Sequence, residues 1–161
     1  MSIEEIMTRL YALTQPLPGI GHVYTMELSD IQPAEVQSLL GMPDQSSPRG
    51  WSIRAWQWFR RGVDRQHLDP AGDATEVTHH MHLIGWWEVN YAGQSERDWR
   101  TMTDTICTLF DDPLLLFETA HRFTAPVVTF EGRAVINEIY RCHDVELRMD
   151  IMEMHHAAED A

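Results

Sequence analysis

Two stretches of this chain alternate apolar and polar side chains with a period of two, and that alternation limits the possible folds more than any other feature. Over Thr75–Tyr91, the residues Val77, Met81, Leu83, Trp87, Val89 and Tyr91 fall on one side, with Glu76, Thr78, His80, His82, Glu88 and Asn90 on the other. Over Val145–Met154, Val145, Leu147, Met149 and Ile151 alternate with Glu146, Arg148, Asp150 and Met152. Period two is the pattern of a half-buried strand. Burying four such apolar side chains contributes about 1.5–3 kcal/mol each before entropy. A chain with strands of this length must build a sheet and cover one face of it.

Two amphipathic helices supply the cover. Residues 3–14 form the first, opened by a Ser2–Glu5 capping box and carrying Ile3, Ile6, Met7, Leu10 and Leu13 at helical spacing, with Pro16 and Pro18 beyond its end. The second starts at Ser95 with Asp98 as its capping acid. It buries Trp99, Met102, Ile106, Leu109 and Phe110, and stops at Asp111-Asp112-Pro113 because a residue before proline avoids helical geometry. Leu114–Phe117 is a short apolar connector.

The remaining elements follow from turn formers. Gly19 and Gly21 open a strand over His22–Leu28. Asp30 then caps a brief helix over Pro33–Leu40, ended by Gly41, and Met42–Gly50 is an exposed loop. Trp51–Val63 pairs with Thr75–Tyr91 as a long hairpin through a polar link containing Asp69–Asp73. His121–Phe130 and Ala134–Tyr140 flank a tight turn at Glu131-Gly132-Arg133, and Pro126 points to an edge or a bulge. The expected architecture is a single α+β domain over residues 1–161. It has a mainly antiparallel sheet, two principal helices on one face and a long β-hairpin; residues 29–50 are a loop and short-helix insertion, and 155–161 a flexible tail.

At 161 residues the chain buries a sizeable core without metals or staples. Cys107 and Cys142 lack a metal-type spacing and read as isolated thiols; nothing requires a disulfide between them. No basic segment followed by an apolar stretch opens the chain, and no apolar run is long enough to span a bilayer, so a soluble protein made in the cytoplasm is expected. The formal net charge is −13, and all 12 basic residues are arginine. That balance opposes wrapping by nucleic acid, which needs cations to displace phosphate counterions. It suits solubility, or a channel wall past which DNA slides. Arginine is also the basic residue favoured at protein interfaces.

Catalytic and metal motifs are missing from the sequence pattern. His79 and His80 point to opposite faces of a strand and cannot share an ion, while His80 and His82 share a face but a zinc site needs further ligands. His155 and His156 lie in the acidic tail. Gly19-Ile20-Gly21 enters a strand rather than a helix, and Asp111-Asp112 is explained by helix termination. No catalytic residue, metal or cofactor is assigned. The candidates for contact are Trp51, Trp56 and Trp58, with Phe59 placing aromatics on both faces of one strand, together with Arg54, Arg60, Arg61 and Arg133. Either one sheet face is buried within the chain, or a second is covered by a neighbouring subunit.

The order of elements resembles the tail-terminator (tail-completion) family of tailed phages. The resemblance rests on an amphipathic helix followed by Pro18-Gly19-Ile20-Gly21-His22-Val23-Tyr24, then long paired strands over 51–91, a helix over 95–111 and closing strands over 121–154. It implies a non-enzymatic virion protein of the tail and neck. Six copies would form a ring that caps the head-proximal end of the tail tube and stops its polymerisation. Its partners would be itself, the tube protein, a neck or connector protein and, in a contractile tail, the sheath; DNA would pass through the lumen without specific binding. Another head–tail connector component, or a small cytoplasmic enzyme or ligand-binding protein, is the alternative.

Overall fold

In a computed structural model, which describes residues 2–90, 94–112 and 122–156, the chain is organised around its last strand. β7 (Tyr140–His156) pairs antiparallel with β4 (Ala74–Glu88) from Ala74 opposite His156 to Glu88 opposite Cys142. β4 pairs in turn with β3 (Trp51–His67) as the expected hairpin. On the far side of β3, β1 (His22–Tyr24) adds in parallel and β2 (Gly41–Pro43) antiparallel. On the far side of β7 lie β5 (Arg122–Phe123) and β6 (Val127–Ile136). The result is one seven-stranded mixed sheet, and the fold is α+β.

Helices α1 (Ile3–Thr14) and α3 (Gln94–Leu109) cover the same face of this sheet. Ile6 and Leu10 of α1 and Trp99, Met102 and Ile106 of α3 meet Trp56, Trp58, Met81, Leu83, Trp87, Val145, Leu147, Met149 and Ile151. Met81, Leu83 and Trp87 of the first alternating stretch and Val145, Leu147, Met149 and Ile151 of the second lie in this layer, so period two selects this face. The Ser2–Glu5 capping box forms as expected: the Ser2 Oγ accepts from the Glu5 N–H at 3.2 Å, and the Glu5 carboxylate accepts from the Ser2 N–H at 2.7 Å. Part of the opposite face is covered by the short α2 (Val36–Leu40), which packs Val36 and Leu40 on Ile53, Ala55 and Cys142.

Gly21 and Gly85 admit close approaches. Gly21 has φ 92°, and a Cβ there would overlap the Arg54 backbone, so β1 can lie against β3 only with glycine at this bend. At Gly85 a Cβ would overlap the Trp56 indole, so the missing side chain is the slot that holds the ring.

Several sequence expectations are corrected. The first strand ends at Tyr24 rather than Leu28, because the Leu28 N–H instead donates to the Gln57 side chain at 2.7 Å while Leu28 packs on the second cluster. Asp30 does not cap a helix; it takes φ 52° in a bend, and a 3₁₀ turn over Pro33–Glu35 leads into α2. Gly41 does end α2 as its C-cap, but with extended rather than left-handed backbone, and it starts β2, where a Cβ would crowd the Gln37 carbonyl. Ser95 is buried inside α3 instead of capping it. Pro126 splits the expected His121–Phe130 strand into β5 and β6.

The closing turn also moves. β6 runs unbroken through Glu131-Gly132-Arg133, and the chain reverses at Asn137–Ile139, where Asn137 and Glu138 have φ 51° and 62°. Asparagine tolerates that left-handed geometry, whereas Gly132 stays in the strand beneath the Phe130 ring. His155 and His156 belong to β7, not to a tail. Tyr91, Pro113, the 114–117 connector, His121 and residues 157–161 lie outside the described residues.

Candidate assembly edges and the open sheet face

The structure separates the expected contact residues into four places. Trp56 and Trp58 are core residues, which corrects their assignment to an interface. Trp56 is fully buried and stacks on Trp99 at 5.5 Å, and its Nε1–H donates to the Ile20 carbonyl at 3.0 Å. Trp58 meets Phe110 edge-on, and its Nε1–H donates to the Thr14 hydroxyl at 3.1 Å. Such satisfied, desolvated indoles leave nothing for a neighbour to touch.

Trp51 and Arg54 sit at the start of β3, half-buried against their own chain. The Arg49 guanidinium lies 4.0 Å above the Trp51 ring, and that of Arg54 lies 4.1 Å above Trp87. Arg60 and Arg61 stand exposed where β3 runs on past β1. Arg60 donates to His79 Nδ1 at 3.3 Å, and Arg61 lies 5.1 Å over the Phe59 ring. Arg133 is on the opposite margin of the sheet, in β6 across from His143 rather than at a turn tip.

The sheet margins themselves are unequal. β2 occupies residues 51–53 of β3 and β1 occupies 55–57, so beyond them β3 has no partner on that side among the described residues. The strand continues as an arm carrying Arg60, Arg61, Asp64 and Arg65, all exposed. Charge and the bulge between Arg60 and Gly62 are devices that discourage indiscriminate pairing. β6, on the other margin, pairs among the described residues only with β7 and leaves Val127 61%, Val128 37%, Phe130 49% and Val135 58% exposed. A ten-residue edge strand that shows valine and phenylalanine to water is the kind of edge another strand can extend. Sequence reading missed it by placing a turn in its middle. The signal was the run Val127-Val128-Thr129-Phe130, strand-forming but not alternating.

The face away from α1 and α3 carries histidine–carboxylate pairs. Both nitrogens of His80 reach acids at 2.7 Å, Nε2 to Asp64 and Nδ1 to Asp150. Hydrogen bonds to these two carboxylates raise the His80 pKa, because both ring nitrogens can then donate only as the cation. His82 pairs with Glu146 beside it.

His79 points the other way, under the helices. Burial lowers its pKa, and the neutral ring accepts from Arg60 at Nδ1 and donates from Nε2 to Glu153 at 3.3 Å. Burial also pushes the Glu153 carboxyl up, but hydrogen bonds with His79 and His155 outweigh it and hold the group below its ordinary value.

The remaining groups with chemical potential are spent within the chain. Ser95 Oγ lies 3.2 Å from Nε2 of the buried His143. That hydroxyl also accepts from the Asn90 N–H at 2.8 Å, and His143 stacks on Trp99 at 5.8 Å with its pKa lowered by burial. No carboxylate is hydrogen-bonded to the other ring nitrogen among the described residues, so the pair lacks the orienting acid of a hydrolytic triad. A cleft of about 410 Å³ beside Asp44 and Asn90 contains Arg49 and Glu88, which pair with each other. Burial raises the thiol pKa of both Cys107 and Cys142, which keeps them protonated. Among the described residues no three ligating side chains converge on a metal position, and no helix is long and apolar enough to cross a membrane. No protein-family model matches the chain, and no curated protein matches it significantly.

Proposed function

We propose that this chain is a structural assembly subunit of the tail-terminator type: a protein that closes into a ring, caps the head-proximal end of a phage tail tube and performs no chemistry of its own. The observation that carries the reading is the pair of open sheet margins, one apolar and one arginine-bearing, on opposite sides of the same sheet. A subunit with two different complementary edges associates head to tail, and such heterologous contacts close into rings when the rotation permits. The element order agrees with the resemblance: helix, strand, long hairpin, crossing helix, closing strands. The net charge of −13 suits a lumen that lets DNA pass without holding it.

Native mass spectrometry at micromolar concentration tests the ring, with a closed species near six chains as the expected result and a monomer as the result that overturns it. Adding the protein to polymerising tail-tube protein tests the capping. Substoichiometric amounts should arrest elongation at one end. A ring that leaves tube growth unchanged would instead belong to another part of the neck.

A further inference from the structure

We propose that the ring contact is a continuation of the β-sheet, in which the first half of β6 pairs antiparallel with the free edge of β3 in the next copy, setting Val128 against Val63 and Glu131 against Arg60. The proposal rests on the ring reading above and identifies its interface.

Strand direction is the first argument. β3 runs against β4, β4 against β7 and β7 against β6. β6 therefore runs opposite to β3. A second copy placed beside the first in the same orientation brings its β3 against β6 as an antiparallel neighbour, with no break in alternation. Edge addition of this kind draws its affinity from main-chain hydrogen bonds and its specificity from side-chain matching.

The level of the free segments is the second. Following the ladders across the sheet, Val128 stands opposite Leu147, which stands opposite Leu83, which stands opposite Trp58. On that margin β1 and β2 block residues 51–57, so the neighbour must slide until its arm is level with β6. Val63 lies opposite His79, four residues along β4 from Leu83, so the slide is about 13 Å at roughly 3.3 Å per residue. The most exposed apolar residues of β6 next to one another, Val127, Val128 and Phe130, sit at the end that this slide brings against the arm. A repeated stagger tilts the strands against the ring axis, as it does in closed barrels.

The spacing of side chains is the third. On β6, Val128 and Glu131 stand opposite Leu147 and Val145, on the helix-covered face and two rungs apart. On the arm, Val63 and Arg60 stand opposite His79 and Met81, on the same face and also two rungs apart. Each interval contains one bulge, between Val128 and Phe130 and between Arg60 and Gly62. One antiparallel register therefore satisfies both pairs, valine on valine and glutamate on arginine. Between them Phe130, on the open face, meets Gly62, which has no side chain and where even a Cβ would touch only the His80 ring at 3.7 Å. The ring lies over Gly132 of its own strand, and Gly62 leaves its exposed side unobstructed.

Disulfide trapping tests the register, since cross-strand pairs bring Cβ atoms within bonding range. In a Cys107→Ser background, Val63→Cys and Val128→Cys should form no disulfide dimer separately and a mixed dimer when combined and oxidised. A chain carrying both should give a covalent ladder that ends at the ring. Self-dimers of Val128→Cys alone would mean a two-fold β6–β6 contact and would overturn the proposal. Charge exchange is the second measurement. Glu131→Arg and Arg60→Glu should each reduce the assembled fraction at least tenfold, with folding checked by circular dichroism, and an equimolar mixture should restore it because every contact is again opposite in charge. If the unaltered protein assembles but neither the mixed disulfide nor the rescue appears, this interface is wrong and the ring reading survives. If the unaltered protein is monomeric, both fall.

Discussion

His79 and His80 are neighbours in the chain and opposites in the structure. His79 faces α1 and α3, where burial keeps its ring neutral between Arg60 and Glu153. His80 faces away, where hydrogen bonds to Asp64 and Asp150 raise its pKa and favour the cation. The same contrast separates the two sides of the whole sheet. One is an apolar layer of tryptophan, leucine and methionine fitted under helices. The other is covered over one end by α2 and elsewhere shows ion pairs to water. Burial on the first side makes packing faults expensive, whereas exposure on the second makes charge changes mild.

The sharpest way to break this comparison is through the tryptophans. Trp56→Ser and Trp58→Ser should each cost about 3–5 kcal/mol, the range for truncating a buried aromatic. Urea unfolding followed by circular dichroism measures it. The double variant should lose most of its stability at 25 °C, since domains hold only about 5–15 kcal/mol in reserve. A folded double variant that merely fails to associate would return these residues to the interface and abolish the distinction between the faces.

A smaller effect is expected at the slot beneath Trp56. Gly85→Ala adds one methyl where the indole already lies, and overpacking of this kind costs about 1–3 kcal/mol. The near-ultraviolet circular dichroism of the Trp56–Trp99 stack should change with it. Gly62→Ala on the arm, where the space is open, should leave that signal unaltered. Equal losses at the two positions would show that the arm is packed as tightly as the core.

What was legible in the sequence follows the same division. The alternation of β4 and β7 and the stripes of α1 and α3 identified most of the helix-covered face, because both periodicities record burial within one chain. The presence of aromatics on both faces of β3 was also legible. Which cover each face receives was not: Trp56 is satisfied by the carbonyl of Ile20 and Trp58 by the hydroxyl of Thr14, partners far away in sequence. The closing turn was misplaced because glycine at 132 is the stronger local turn signal. A strand tolerates glycine when an aromatic neighbour covers it, and Asn137 supplies the reversal instead. The open edge of β6 was lost with that turn, and with it the apolar half of the candidate site.

The smallest effect expected is a dependence on pH, with opposite signs on the two faces. His80 has a raised pKa when folded, so its contribution is fully present below the unfolded value near 6.5 and disappears as pH rises through the folded value. His79 and His143 have lowered values, so their neutral forms support the fold above about 6.5, and that support is lost as pH falls through their folded values. His80→Gln should therefore cost stability at pH 6 and cost less at pH 8.5. His79→Gln should flatten the loss on the acid side. Asp64, one of the two acids on His80, has a largely exposed side chain, so salt should weaken the His80 effect and leave the His79 effect nearly intact. Imidazole titration by NMR resolves the two rings separately. If both titrate on the same side of 6.5, the neutral and cationic assignments are wrong for one face, and the electrostatic half of the comparison fails.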